Sequence, residues 1–179
     1  GSRGAAQTNF TVTPRISLDR LNSSPGSSIT ATGTGFAANE NAITVTIDQT
    51  PVATGVSASS SGSWSTYLVI PPLPAGPHTV RASGSLTSRG NVPAITLTLG
   101  ADLSLERSSG PPGTTLKVSG SGFRPMESVS ITVGDDLSAI ATTADAQGQW
   151  TADVTIPAAP SGSLTIKASG AGGQPKETH

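Results

Sequence analysis

Residues 103–127, LSLERSSGPPGTTLKVSGSGFRPME, restate residues 16–40, ISLDRLNSSPGSSITATGTGFAANE, without a gap. Internal repetition on this scale decides an architecture before any single segment is read. One residue is lost after this block, and Ile43 to Gly84 then matches Val129 to Gly170. Nine identities in the first block and thirteen in the second make 22 in 67 aligned positions. They fall on Pro25-Gly26 and Pro112-Gly113, Gly33 and Gly120, Gly35-Phe36 and Gly122-Phe123, Trp64 and Trp150, Ile70-Pro71 and Ile156-Pro157, and Ala82-Ser83-Gly84 and Ala168-Ser169-Gly170. Glycine, proline and tryptophan in register mark a shared backbone rather than a shared composition.

Within each copy apolar residues alternate with polar ones. Ile43, Val45 and Ile47 bracket Thr44 and Thr46, and Trp150, Ala152, Val154 and Ile156 bracket Thr151, Asp153 and Thr155. A period of two puts one face of a strand in a core and the other in water. Turn residues recur every 8–12 positions, the pattern of a small antiparallel sandwich. The fold expected is all-β: two tandem immunoglobulin-like antiparallel β-sandwiches, residues 14–100 and 101–179. Phe36, Trp64, Phe123 and Trp150 are the expected core anchors, because aromatics are only 3% of the chain and each must fill much of a small interior.

The Gly-Phe turns, the run Ala144 to Trp150 and the closing Ala-Ser-Gly resemble immunoglobulin-like repeats of bacterial surface proteins, the IPT/TIG type in particular. That resemblance implies a spacer, stalk or assembly module at a prokaryotic cell surface, and it transfers no catalytic residue.

Composition excludes several other classes. With 12% charged residues and a net charge of −1, the chain lacks the basic footprint of a nucleic-acid binder. No apolar run reaches the roughly 18 residues of a membrane helix. With no cysteine, thiolate nucleophiles, disulfides and cysteine zinc sites are absent. No cofactor is expected, and no enzyme activity.

The remaining chemical candidates have structural readings. Gly33-Thr34-Gly35 and Gly120-Ser121-Gly122 precede a turn and a strand, not the helix N-terminus that a phosphate loop needs. Asp135, Asp136 and Asp145 offer oxygens for Ca²⁺, yet the first copy has Gln49, Thr50 and Ser59 there. His78 has no second histidine near it. Lys117 and Lys167 fall on outward phases. Asn9 and Asn22 open formal glycosylation sequons. Tyr67 and Val69 stand on the outer phase of the tryptophan strand, where the second copy has Asp153 and Thr155, and mark a possible surface contact. Trp64, Trp150 or Tyr67 could alternatively stack on surface glycans.

The ends of the copies differ. Ile95, Leu97 and Leu99 form the last strand of the first copy. By the offset of the second block, residue 179 answers to Pro93, so the second copy is expected to lack its own last strand. Residues 1–13 carry the matching excess, with Thr8, Phe10 and Val12 answering to Ile95, Leu97 and Leu99. This spare strand is expected to complete the second copy of a neighbouring molecule. Pro14 alone joins it to the first copy, and at about 3.3 Å per residue it cannot reach back to its own second copy. The partners are then copies of the chain itself, in a head-to-tail filament. The alternative is an excised spacer of a longer adhesin, with adjacent repeats as partners.

Overall fold

The structure is a computed structural model, and it describes residues 7–134, 136–171 and 176–178. The first domain contains β1 (Arg15–Leu18), β2 (Asn22–Ser23), β3 (Ser28–Thr34), β4 (Ile43–Ile47), β5 (Thr50–Val56), β6 (Trp64–Val69), β7 (Gly76–Ser83) and β8 (Ile95–Leu99). They form a three-stranded sheet, β1-β3-β6, and a five-stranded sheet, β2-β8-β7-β4-β5. The short β2 runs parallel to β8, with Asn22 opposite Thr98 and Ser23 opposite Leu99. Among the described residues, a 3-10 turn at Arg89–Asn91 is the only helical element.

The second domain repeats this plan with β9 (Asp102–Leu105), β10 (Thr115–Ser121), β11 (Ser128–Val133), β12 (Asp136–Thr143), β13 (Trp150–Thr155), β14 (Ile166–Gly170) and β15 (Lys176–Thr178). Its sheets are β13-β10-β9 and β12-β11-β14-β15. The alternating residues sort by phase as the period predicts. Ile29, Ile43, Val45, Ile47, Leu68, Ile70, Val80 and Ala82 are buried in the first domain, and Leu116, Val118, Val129, Ile131, Val154, Ile166 and Ala168 in the second. At roughly 25 cal/mol per Å² of apolar surface removed from water, these two rows of aliphatic side chains supply the main drive to fold.

All four aromatic anchors are buried. Phe36 meets Trp64 edge to face at 5.4 Å between centroids and 82° between planes. Phe123 meets Trp150 at 5.7 Å and 78°. The turn before each Phe explains the repeated glycine. Gly35 and Gly122 sit at φ +73° and +81°, a left-handed conformation that glycine adopts without the Cβ penalty. The next residue is thereby turned inward, and its N–H is held by the carbonyl of Gly62 or Gly148, each at 3.1 Å.

The structure corrects the expected absence of a last strand in the second domain. β15 lies against β14, with Ile166 opposite Thr178 and Ala168 opposite Lys176. A constant offset failed because the connecting loops differ in length. Eleven residues separate Ser83 from Ile95, and five separate Gly170 from Lys176. The strand therefore arrives earlier in the chain than the alignment placed it. Among the described residues it spans three residues, against five in β8.

Candidate functional site

A cleft beside the start of β14 defines the candidate site. Among the described residues β15 pairs with β14 from Ala168 to Ile166. Beyond it, in line with its continuation, is a cleft of about 220 Å³ whose walls include Leu105, Leu116, Ile156, Leu164 and Ile166, with Ser109 and Gly110 opposite. Ser109 and Gly110 answer to Asn22 and Ser23, the residues of β2 that pair with Thr98 and Leu99 in the first domain. Among the described residues no strand pairs with Ser109–Gly110. The apolar floor registers the difference. Ile70 is 1% exposed, whereas its counterpart Ile156 is only partly buried. In the first domain the strand that closes this end brings in Leu97 and Leu99, both buried.

The cleft has an aliphatic floor, which an extended apolar segment would cover. No carboxylate lines it; Arg107 is its one charged residue.

The expected donor residues are exposed. Thr8, Phe10 and Val12 lie outside any strand, with Phe10 91% and Val12 68% exposed. Residues 1–6 of the same segment lie outside the described residues. The donor candidates Phe10 and Val12 are thus exposed apolar side chains of a segment outside the strands.

Tyr67 and Val69 are exposed on β6, an edge strand, at 79% and 62%. At the same places in the second domain Asp153 pairs with Lys117 at 3.0 Å, so only the first domain presents apolar groups there. Neither tryptophan can serve as a stacking platform, since both rings are enclosed in the cores. Asp145 accepts hydrogen bonds from the N–H groups of Gln147 and Gln149 at 2.8 and 2.9 Å, the work of a turn residue. Asp135 lies outside the described residues. Among those described, no three acidic or histidine side chains group to hold a metal. His78 contacts the Pro74 carbonyl through Nε2 at 2.8 Å. Among the described residues no helix is long and apolar enough to cross a membrane.

One structural residue escaped the reading of the sequence. Glu40 is 1% exposed, and its carboxylate accepts four hydrogen bonds. They come from the Leu86 N–H at 2.6 Å, the Thr87 N–H at 2.7 Å, the Thr87 hydroxyl at 2.6 Å and the Ala37 N–H at 3.3 Å. Burial pushes its pKa up, but the Thr87, Leu86 and Ala37 donors outweigh burial and hold it below the ordinary value. Glu40 thereby pins the long loop between β7 and β8. Its counterpart Glu127 closes the equivalent turn through the Arg124 N–H at 2.9 Å. The available signal was a carboxylate identical in both copies of a sparsely charged chain.

Two immunoglobulin-like sandwiches in tandem, each built on a Gly-Phe turn and a buried tryptophan, define the class. The IPT/TIG domain model matches the chain twice, over residues 12–95 and 103–178, and the chain belongs to that family. Solved structures with a similar fold include the Yersinia pseudotuberculosis adhesin InvE, at 14% identity and a TM-score of 0.43 over 92% of this chain and 57% of that one. Others are the BSP domain of a biofilm-associated protein, at 17% identity and 0.31 over 90% and 28%, and a Salmonella alpha-2-macroglobulin reacted with methylamine, at 13% and 0.36 over 93% and 14%. This chain thus spans less than two thirds of each of those proteins. At these identities and scores they say nothing of what it does. Comparison with curated proteins finds no match.

Proposed function

We propose that this chain is a non-catalytic structural segment of an extracellular, cell-surface assembly, in which molecules join head to tail by strand donation. Residues Thr8, Phe10 and Val12 of one molecule complete the second domain of the next. The cleft beside β14 supports this reading, because its lining includes Ser109 and Gly110, the counterparts of the residues that pair with β8 in the first domain. The exposed Phe10 and Val12 support it from the donor side. Burying a Val or Phe side chain contributes roughly 1.5–3 kcal/mol, and the backbone pairs gained add orientation. Donor and acceptor are different surfaces, so the contact is heterologous and propagates unless it closes into a ring. The polar, cysteine-free composition suits a prokaryotic exterior, where folding does not lean on disulfides.

A competing reading has specific support: the cleft lies in line with β15, so the same polypeptide could supply the closing strand, as in a spacer of a longer adhesin. Size-exclusion chromatography with light scattering over a concentration series, with negative-stain microscopy, separates the two. Strand donation predicts mass that grows with concentration and linear particles. A monomer at every concentration overturns it and favours the spacer.

A further inference from the structure

We infer that the free edge of β6 is a docking surface for a second copy of the first domain, the two β6 strands pairing antiparallel about a two-fold axis at Tyr67.

β6 ends the sheet β1-β3-β6, and among the described residues no strand pairs with its other side. The direction of its backbone groups follows from the residue after it. Ile70 donates its N–H to the Ser27 carbonyl at 2.9 Å and accepts from the Gly26 N–H at 2.9 Å, so its backbone faces the β3 side. Along an antiparallel pair this direction alternates residue by residue. Ser65, Tyr67 and Val69 therefore aim their N–H and C=O groups away from β3, at the open edge. The second domain shows the same phase. Ile156 makes the same two bonds with Thr114 and Gly113, and Thr151, which answers to Ser65, accepts at its carbonyl from the Thr142 hydroxyl at 3.4 Å. Thr142 lies on β12, outside that sheet. Val56 holds its place in the first domain and has no hydroxyl to give.

The occupant this edge fits is another β6. All six residues of the strand, Trp64 to Val69, are uncharged, and an edge with neither charge nor proline is a template for strand pairing. Ser65 and Val69 flank Tyr67 symmetrically. A two-fold axis there sets Tyr67 opposite Tyr67 of the second copy and Ser65 opposite Val69, each pair exchanging N–H···O=C bonds. Side chains directly opposite share a face, so the two exposed phenol rings meet, and each reaches the other copy's Val69 on the diagonal. The second domain excludes the same contact. Asp153 stands where Tyr67 does, held by Lys117 at 3.0 Å, and the equivalent pairing would set Asp153 against Asp153, which is destabilising. Self-pairing is thus confined to the first domain. It is isologous and closed, so it ties molecules side by side and needs no donor segment. One strand pair buries far less than the roughly 1,600 Å² of a standard interface, so the contact is weak and acts where chains are crowded.

The absence of native cysteine permits a test of register. The full chain carries Val12→Asp, so that head-to-tail joining does not contribute. Cα atoms of a hydrogen-bonded antiparallel pair lie about 5.5 Å apart, within the reach of a disulfide. Docking raises the effective concentration of opposed thiols. Under mild oxidation Tyr67→Cys is therefore expected to form a homodimer at least tenfold faster than Ser65→Cys or Val69→Cys alone. An equimolar mixture of Ser65→Cys and Val69→Cys should form the heterodimer at the rate of Tyr67→Cys. By sedimentation equilibrium at high concentration the Val12→Asp chain should dimerise reversibly, and the same chain with Tyr67→Asp should stay monomeric, with an unchanged circular dichroism spectrum. Cross-linking of Tyr67→Cys no faster than that of Ser65→Cys, or dimerisation that survives Tyr67→Asp, would overturn the inference and leave strand donation untouched.

Discussion

Gly120 lies beneath the indole of Trp150, its strand partner across β10 and β13, so that a Cβ added to the glycine would run into the ring. Gly33 stands in the same relation to Trp64. The glycine is required by space rather than by backbone angle, and it explains why the two copies share both residues. Gly120→Ala should destabilise the second domain by about 1–3 kcal/mol, the usual cost of overpacking a core, or more where the ring cannot shift. Urea unfolding followed by tryptophan fluorescence checks this, with a lower midpoint expected.

The reverse change empties the same site. Trp150→Ala should cost the second domain roughly 3–5 kcal/mol, leaving the first domain's transition in place. Acrylamide should barely quench either tryptophan in the parent. A cost below about 1 kcal/mol with strong quenching would put the ring at the surface.

Glu40 gives the first domain a pH signature. Its folded pKa lies below the ordinary 4.5, so its stabilising contribution is full above that value and is lost as pH falls through the folded pKa. Melting temperature should fall on acidification below about pH 4.5 more steeply in the parent than in Glu40→Gln. At neutral pH that variant should be less stable by about 1.5–3 kcal/mol, since hydrogen bonds to a charged group are the strong ones.

Phe10→Asp or Val12→Asp should leave both domains folded, because the two residues are exposed and outside the strands. Assembly should be lost, because docking would place an unpaired carboxylate on an apolar floor. Removing residues 1–13 should have the same effect. Circular dichroism of these variants should match the parent while light scattering reports lower mass.

The fold was legible because the period-two phase of residues such as Ile43, Val45 and Ile47 depends only on neighbours in sequence, and because Gly35-Phe36 and Trp64 recur intact 87 and 86 positions later. The last strand of the second domain was misplaced because its position depends on a loop length that no local pattern encodes. Glu40 was missed for a related reason: its partners Leu86 and Thr87 lie 46 and 47 positions away, and only the folded loop brings them to it. Donor candidates Phe10 and Val12 were readable from the repeat. The cleft was not, since it exists only between Ser109–Gly110 and the start of β14.

Interchain cross-linking tests strand donation most directly. One copy carries Val12→Cys and a second carries Leu164→Cys, from the cleft wall, and the two are mixed under mild oxidation. Strand donation predicts a covalent heterodimer linking residue 12 to residue 164, confirmed by mass spectrometry of the joined peptides and suppressed by excess peptide of residues 6–14. Absence of that heterodimer, with both copies remaining monomers, would contradict the account.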